Sequence, residues 1–391
     1  MTFKNQVIVK ESKKESSYTY RLLKTWAEIN LAAVRFNIIN IQKKLGKHIE
    51  LMAIVKCNAY GHGAIEVSRE ALNLGVKALG VSSLYEGIEL RDIFKDVPII
   101  VLSAGMSGQA EEFIEYNLSP VVCTWQMTNA LANAARKRGT QAKVHIKVDT
   151  GMGRIGVWHE RADEFTRQVY KISGIEIEGI CSHFATSDEQ NLDFARQQFE
   201  WFNRCLEKIK DLPIRFKHIS NTGAIFNLPE AHLNMVRPGL SIYGVSPSKY
   251  VKDAESLRPA LSLKTKVAFL KTIPEGRTLS YARTYKTEKE MKVATLPVGY
   301  GDGYPLSLSN KGYVLIRGKK ARILGAVTMD QIMVDVTDIK NVETEDIAVL
   351  IGKQGKEEIA ATEIARMAGT IPYEIFASIN KRVQKVYLDK K

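Results

Sequence analysis

The stretch AIVKCNAYGHG (residues 53–63) ends an apolar run on Lys56 and passes into a polar, glycine-containing loop that carries Tyr60. An ammonium at the inner end of a strand has shed part of its hydration. That favours the neutral, nucleophilic amine and suits it to Schiff-base chemistry. A lysine in that place can also pack its stem and keep its head in water. Other apolar runs end on Ser103, Thr124, Lys147, His183, Asn221 with Thr222, and Arg237. Converging on one mouth, such cationic and hydrogen-bonding groups describe a site for an anionic cofactor.

Bringing them together is the task of the elements. Short runs rich in β-branched residues occupy 49–56, 77–83, 97–103, 118–124, 142–148, 175–183, 214–220 and 234–244. Between them lie stretches of helical period such as GAIEVSREALNLGV and WQMTNALANAARKRG. Eight strands alternating with helices predict an α/β fold, a TIM (β/α)8 barrel over 33–255, with its active site at the C-terminal ends of the strands. Phosphates in such barrels are held by the loops after strands 7 and 8, which here read SNTGA and RPGLS. From 256 to 391, alternating runs such as LSLKTKVAFLKTI and QIMVDVTDI, broken by turn signals, predict a second, mostly β C-terminal domain. KTWAEINL has no place among the eight, so residues 24–32 are expected to supply that domain with a strand, behind a basic N-terminal extension at 1–23.

Composition narrows the function classes. With 391 residues, 45% hydrophobic and 25% charged, the chain is ordinary globular protein with material for two domains. Its net charge of +13 is concentrated at the ends: residues 1–25 carry Lys4, Lys10, Lys13, Lys14, Arg21 and Lys24 against Glu11 and Glu15, and the C-terminal end carries Lys381, Arg382, Lys385, Lys390 and Lys391 against Asp389. Solvated termini account for that charge without nucleic acid, and no basic patch interleaved with aromatics stands elsewhere. Cys57, Cys123, Cys181 and Cys205 are spread out and form no C-x-x-C pair, which points to a reducing compartment and no metal site. No run has the ~20 apolar residues of a membrane span, and the first twenty residues lack a signal-peptide core, so a cytoplasmic location is expected.

Placed in this order, AIVKCNAYGHG, KVDTGMGRIG, HFAT, HISNTG, VRPGLSIYG, LSYARTY, VGYGDGYP, TMDQ and PYEIF resemble alanine racemase, a family of pyridoxal 5′-phosphate (PLP) enzymes, over residues 24–388. The resemblance implies that Lys56 carries PLP as a Schiff base and then serves as one catalytic base. It assigns the second base, on the opposite face, to Tyr281 of the partner in a head-to-tail homodimer; two bases allow inversion in both directions. By itself Tyr281 reads as a packed strand tyrosine. Arg237 would face the pyridine nitrogen, and an always-protonated donor there leaves that nitrogen unprotonated and weakens the electron sink, which suits a racemase. His183 would pack on the ring and support Arg237; its other reading is a satisfied core histidine. The phosphate cradle would comprise the Tyr60 and Tyr373 hydroxyls, Asn221, Thr222, and the Gly239 and Leu240 amides. Arg154 would reach the cofactor's phenolic oxygen and the substrate carboxylate. Lys147 matches a lysine often carbamylated in the family, an anion that would orient Arg154; alternatively it is protonated and paired. Met329 and Asp330 would close the substrate pocket from the partner subunit. The product would be D-alanine for peptidoglycan.

Departures from the family pattern fall in the access corridor that the resemblance places at Asp188, Tyr300, Leu306 and Ala326. Arginines usual in the family are replaced by Leu306 and by Ala326 in GAVTMDQ, while Asp188 is kept in HFATSD. A less cationic, wider corridor bears on substrate range rather than chemistry, so a serine or broad-specificity racemase is the principal rival. A barrel decarboxylase of the ornithine or diaminopimelate type would place a carboxylate where Arg237 stands, and a PLP carrier without activity would lack the β domain.

Overall fold

The computed structural model describes residues 6–9 and 22–389. Most of the basic extension expected at 1–23, and Lys390 and Lys391, lie outside the described residues.

Eight parallel strands form the barrel: Glu50–Ile54, Ala78–Val81, Ile99–Ala104, Ser119–Val122, Ala142–Asp149, Ile175–Cys181, Phe216–His218 and Met235–Val236. Each falls within one of the eight apolar runs or extends it by a residue. The ring closes through Met235 paired with Glu50 and through the Arg237 amide, which donates to the Ser220 carbonyl at 2.9 Å. Most strand residues are fully buried, as expected of strands covered by helices outside and packed side chains inside. The helices follow their caps. Thr124 Oγ1 accepts the Met127 amide and starts Trp125–Lys137, which turns Met127, Leu131, Ala132 and Ala135 inward at helical spacing. Ser83 and Glu86 form a capping box that starts Leu84–Arg91.

The β domain is built on a sheet in the order Gln6–Val9, Gln384–Leu388, Thr25–Asn30, Leu261–Lys266, Ile347–Gln354, Tyr313–Ile316, Lys319–Arg322. Thr25–Asn30 runs antiparallel to Leu261–Lys266 and parallel to Gln384–Leu388, so the chain enters the β domain before it enters the barrel. This strand is shorter than the 24–32 read from sequence, because Asn30 Oδ1 accepts the Ala33 amide at 3.0 Å and helix Leu31–Lys44 begins there. LSLKTKVAFLKTI also divides. Val267 is buried and bonded to Asp346, and the chain turns there, sending Phe269–Ile273 into a second sheet with Met291–Leu296 and Ile332–Asp335. Two helices, Ala361–Ala368 and Pro372–Ala377, interrupt the β pattern. One apolar core is continuous from barrel to β domain. Among the described residues no helix is long and apolar enough to cross a membrane.

Candidate active site

A cavity of about 750 Å³ opens at the C-terminal ends of the barrel strands. Lys56, Lys147, Arg154 and Arg237 line it together with Tyr60, Ser103, His183, Asn221, Thr222, Gly239, Leu240 and Tyr373, and among the described residues no carboxylate does. Four cationic side chains without an acidic one make a site for an anion. Thr124, grouped with them by its strand-end position, is absent from the lining: its hydroxyl is spent on the helix cap described above.

Lys56 leads into an unusual turn. Cys57, Asn58, Ala59 and Tyr60 all have φ near +50°, a left-handed helical turn of four non-glycine residues. Such conformations cost roughly 1–2 kcal/mol each, of order 4–8 kcal/mol in all. The turn is held by Ala59 N–H to Val55 O (2.8 Å), Gly61 N–H to Cys57 O (3.0 Å), Ala64 N–H to Asn58 Oδ1 (2.8 Å) and Cys57 N–H to Glu86 Oε1 (2.6 Å). At Gly61 (φ +76°) a Cβ would collide with the Phe376 carbonyl of helix Pro372–Ala377. The same packing delivers Tyr373 from the β domain to the barrel mouth, its ring 5.8 Å from that of Tyr60. Burial pushes both phenols well above the ordinary tyrosine pKa and keeps them as neutral donors, with Tyr60 raised further by Tyr373 and Tyr373 by Asp188.

Opposite, Thr222 Oγ1 accepts the Gly239 amide at 3.0 Å and the Ser241 amide at 3.5 Å. With two amides donating to it, the Thr222 hydroxyl is left to act as a donor, and Ser241 Oγ lies 3.2 Å away. Gly239 thus serves the cavity through Thr222, and it also gives Tyr60 room, since a Cβ there would lie 2.8 Å from Tyr60 Oη. Asn221 Oδ1 accepts from the Ala224 amide (3.1 Å) and the Ser187 hydroxyl (2.7 Å), which commits that atom to the start of Thr222–Asn227.

Arg237 is buried, and burial lowers its pKa to about 10, still a cation at neutral pH. Its terminal nitrogens donate to the Ser182 and Ile219 carbonyls (2.8 and 3.0 Å), to His218 Nδ1 (2.7 Å) and to His183 Nδ1 (3.1 Å). His218 Nε2 then meets His145 Nδ1 at 2.8 Å, and His145 Nε2 meets Glu178 Oε2 at 3.3 Å. Burial and the Arg237 charge hold His183 and His218 well below the ordinary histidine pKa. Burial works against ionised Glu178, but hydrogen bonds from His145 and Ser119 outweigh it and leave its pKa lowered. The sequence signal for this relay is a histidine and a glutamate inside the strand runs AKVHIKV and IEIEGIC.

Lys147 is buried on Ala142–Asp149, and burial, with Arg237 and Arg154 nearby, lowers its pKa to about 8. Arg154 stands on the following loop, whose path is set by Asp149 Oδ1 accepting the Gly151 and Gly153 amides at 2.9 and 3.1 Å.

The remaining sequence candidates do not line the cavity. Tyr281, Tyr300, Leu306 and Met329 are exposed on the β domain, Tyr281 by 76%. Hydrogen bonds connect their loops: Ser280 Oγ to Ala326 O at 2.9 Å, Tyr300 N–H to Thr328 O at 3.0 Å, and Arg382 to both the Met329 carbonyl and Asp330. Asp188 stays with the barrel, near Tyr373.

Comparison with known proteins agrees with this architecture. Residues 29–247 match the alanine racemase N-terminal domain family and residues 260–387 the alanine racemase C-terminal domain family. The alanine racemase of Halothermothrix orenii is 44% identical over 370 residues, 94% of this chain and 97% of that one. That of Carboxydothermus hydrogenoformans is 42% identical over 366 residues, 93% and 99% of the two chains. Among solved structures, alanine racemase of Clostridium difficile 630 superposes with a TM-score of 0.91 at 36% identity, covering 94% of this chain and 97% of that one. Alanine racemase of Bartonella henselae, solved with covalently bound pyridoxal phosphate, gives 0.84 at 27%, covering 94% and 100%. The chain belongs to the alanine racemase family and is an isomerase of that class.

Proposed function

We propose that this chain interconverts L- and D-alanine with pyridoxal phosphate attached at Lys56, using Lys56 and the Tyr281 of a second copy as its two bases. The observation that carries the reading is the cavity itself: four cationic side chains, no carboxylate among the described residues, and an amine in one lining with the Tyr60, Tyr373 and Thr222 hydroxyls. The donor set fits the cofactor. The hydroxyls of Tyr60, Tyr373 and Thr222 suit a phosphate, with the Leu240 amide beside them, and Arg237, pinned by two neutral histidines, suits a pyridine nitrogen that must stay unprotonated. When bound, the cofactor supplies an aldehyde for amine condensation and a conjugated ring that acidifies the Cα–H of an amino acid.

The chain's own groups do the rest. Lys56 Nζ would take or return the Cα proton on one face and Tyr281 Oη on the other. Arg154 would hold the substrate carboxylate, and Lys147, if converted to a carbamate, would hold Arg154 by opposite charge. The exposed face carrying Tyr281, Tyr300, Leu306, Met329 and Asp330 is the surface a head-to-tail partner would cover, because within one copy these residues do not line the cavity at the barrel mouth. In a cell the product would supply peptidoglycan with D-alanine. Borohydride reduction of the loaded protein followed by peptide mapping should place the pyridoxyl label on Lys56; a label elsewhere overturns the reading.

A broader amino-acid racemase is the second reading, favoured by Leu306, 56% exposed, and Ala326 in place of arginines. Racemisation rates across L-alanine, L-serine and larger L-amino acids separate the two.

A further inference from the structure

Glu86 is absent from the cavity lining, yet its carboxylate connects the ends of the first two barrel strands. One oxygen accepts the Cys57 amide at 2.6 Å. The other accepts the Ser82 amide (2.8 Å), the Ser82 hydroxyl (2.9 Å) and the Ser83 amide (3.2 Å). Four donors converge on one side chain, which only an acceptor on both oxygens satisfies. Cys57 is the first left-handed residue after Lys56, and its side of the turn is exposed. The opposite side is held by Gly61 against the β domain. The lysine that lines the cavity immediately precedes the first of these supports.

We propose that Glu86 is a positioning residue for Lys56: by gripping the Cys57 amide, its carboxylate holds the left-handed turn that keeps the amine at the cavity. A helix cap is the competing role, because the Glu86 amide also donates to Ser83 Oγ at 3.2 Å. The two roles separate by substitution. Glu86→Gln keeps the size but turns an NH2 toward peptide N–H donors, whereas Ser83→Ala removes the cap and leaves the carboxylate on Cys57.

The inference rests on the reading of Lys56 above. Full-length wild-type, Glu86→Gln, Glu86→Asp, Ser83→Ala and Glu89→Gln proteins, stripped of cofactor, are mixed with pyridoxal phosphate and quenched with borohydride at intervals. Peptide mapping gives the rate of Lys56 labelling, and hydrogen exchange is followed in the peptide spanning 56–63. Glu86→Gln should slow labelling and speed exchange roughly tenfold or more, the weight of one charge-assisted hydrogen bond. Glu86→Asp should recover part of both. Ser83→Ala should lower thermal stability with labelling near wild type, and Glu89→Gln should change nothing. Labelling by Glu86→Gln at the wild-type rate, or equal slowing by Ser83→Ala, overturns the proposal. Should Glu86→Gln fail to fold, the wild-type Cys57 amide decides: strong protection despite its exposed position supports the bond, and free exchange refutes it. Wild-type label away from Lys56 would sink the reading of Lys56, while Cys57 protection would still report on Glu86.

Discussion

Arg237 Nη1 donates to His218 Nδ1 at 2.7 Å, and that bond sets the tautomers behind it. With Nδ1 of His218 accepting, its proton sits on Nε2 and points at His145 Nδ1, so His145 in turn carries its proton on Nε2, facing Glu178. A cation at the cavity is thereby joined to a carboxylate deep in the barrel through two neutral rings.

Breaking the first connection leaves a buried guanidinium short of an acceptor. His218→Leu should lower unfolding free energy by about 1–3 kcal/mol. Urea denaturation monitored by circular dichroism measures it, and an unchanged midpoint would contradict the role given to this bond.

His62 makes a pH prediction. It is fully buried, and burial lowers its pKa from 6.5 to about 4, opposed by bonds to the Tyr60 and Ala59 carbonyls. Between those values the unfolded chain binds a proton the folded chain refuses, so stability is complete above about pH 6.5 and falls toward pH 4. The loss approaches about 3 kcal/mol. Comparing wild type with His62→Gln at pH 7 and pH 4 isolates this share; parallel losses in both proteins would exclude His62 as its source.

Lys147, with a pKa of about 8, is roughly one-tenth neutral at pH 7, and only a neutral amine adds carbon dioxide. A carbamate resonance should grow in ¹³C-bicarbonate between pH 7 and 8 and vanish in Lys147→Ala. Its absence in wild type would leave Arg154 to be oriented by another group.

If the β-domain face completes a neighbour's cavity, Lys56→Ala and Tyr281→Phe, each inactive alone, should recover activity when mixed, up to about one quarter of wild type for random heterodimers with one intact site of two. Demonstrated subunit exchange without recovery would rule out a shared site.

The barrel was legible in the sequence because each strand announces itself locally: β-branched runs close on a polar residue, and the fold brings those ends to one rim. Lys56, Lys147, His183 and Arg237 therefore group from sequence alone, with the loops SNTGA and RPGLS beside them. Thr124 obeyed the same rule and was claimed by its own helix. Only the tertiary structure decided the rest. The left-handed turn after Lys56 has no signature in CNAY, since four L-residues adopt it only when a carboxylate 29 residues away grips one side and the β domain packs against the other. Tyr373 and Tyr281 read alike as β-domain tyrosines, yet one enters the cavity of its own chain and the other faces outward, because helix Pro372–Ala377 packs on the barrel and the loop of Tyr281 does not. Local periodicity selects elements; which surfaces meet depends on packing between residues far apart in the chain.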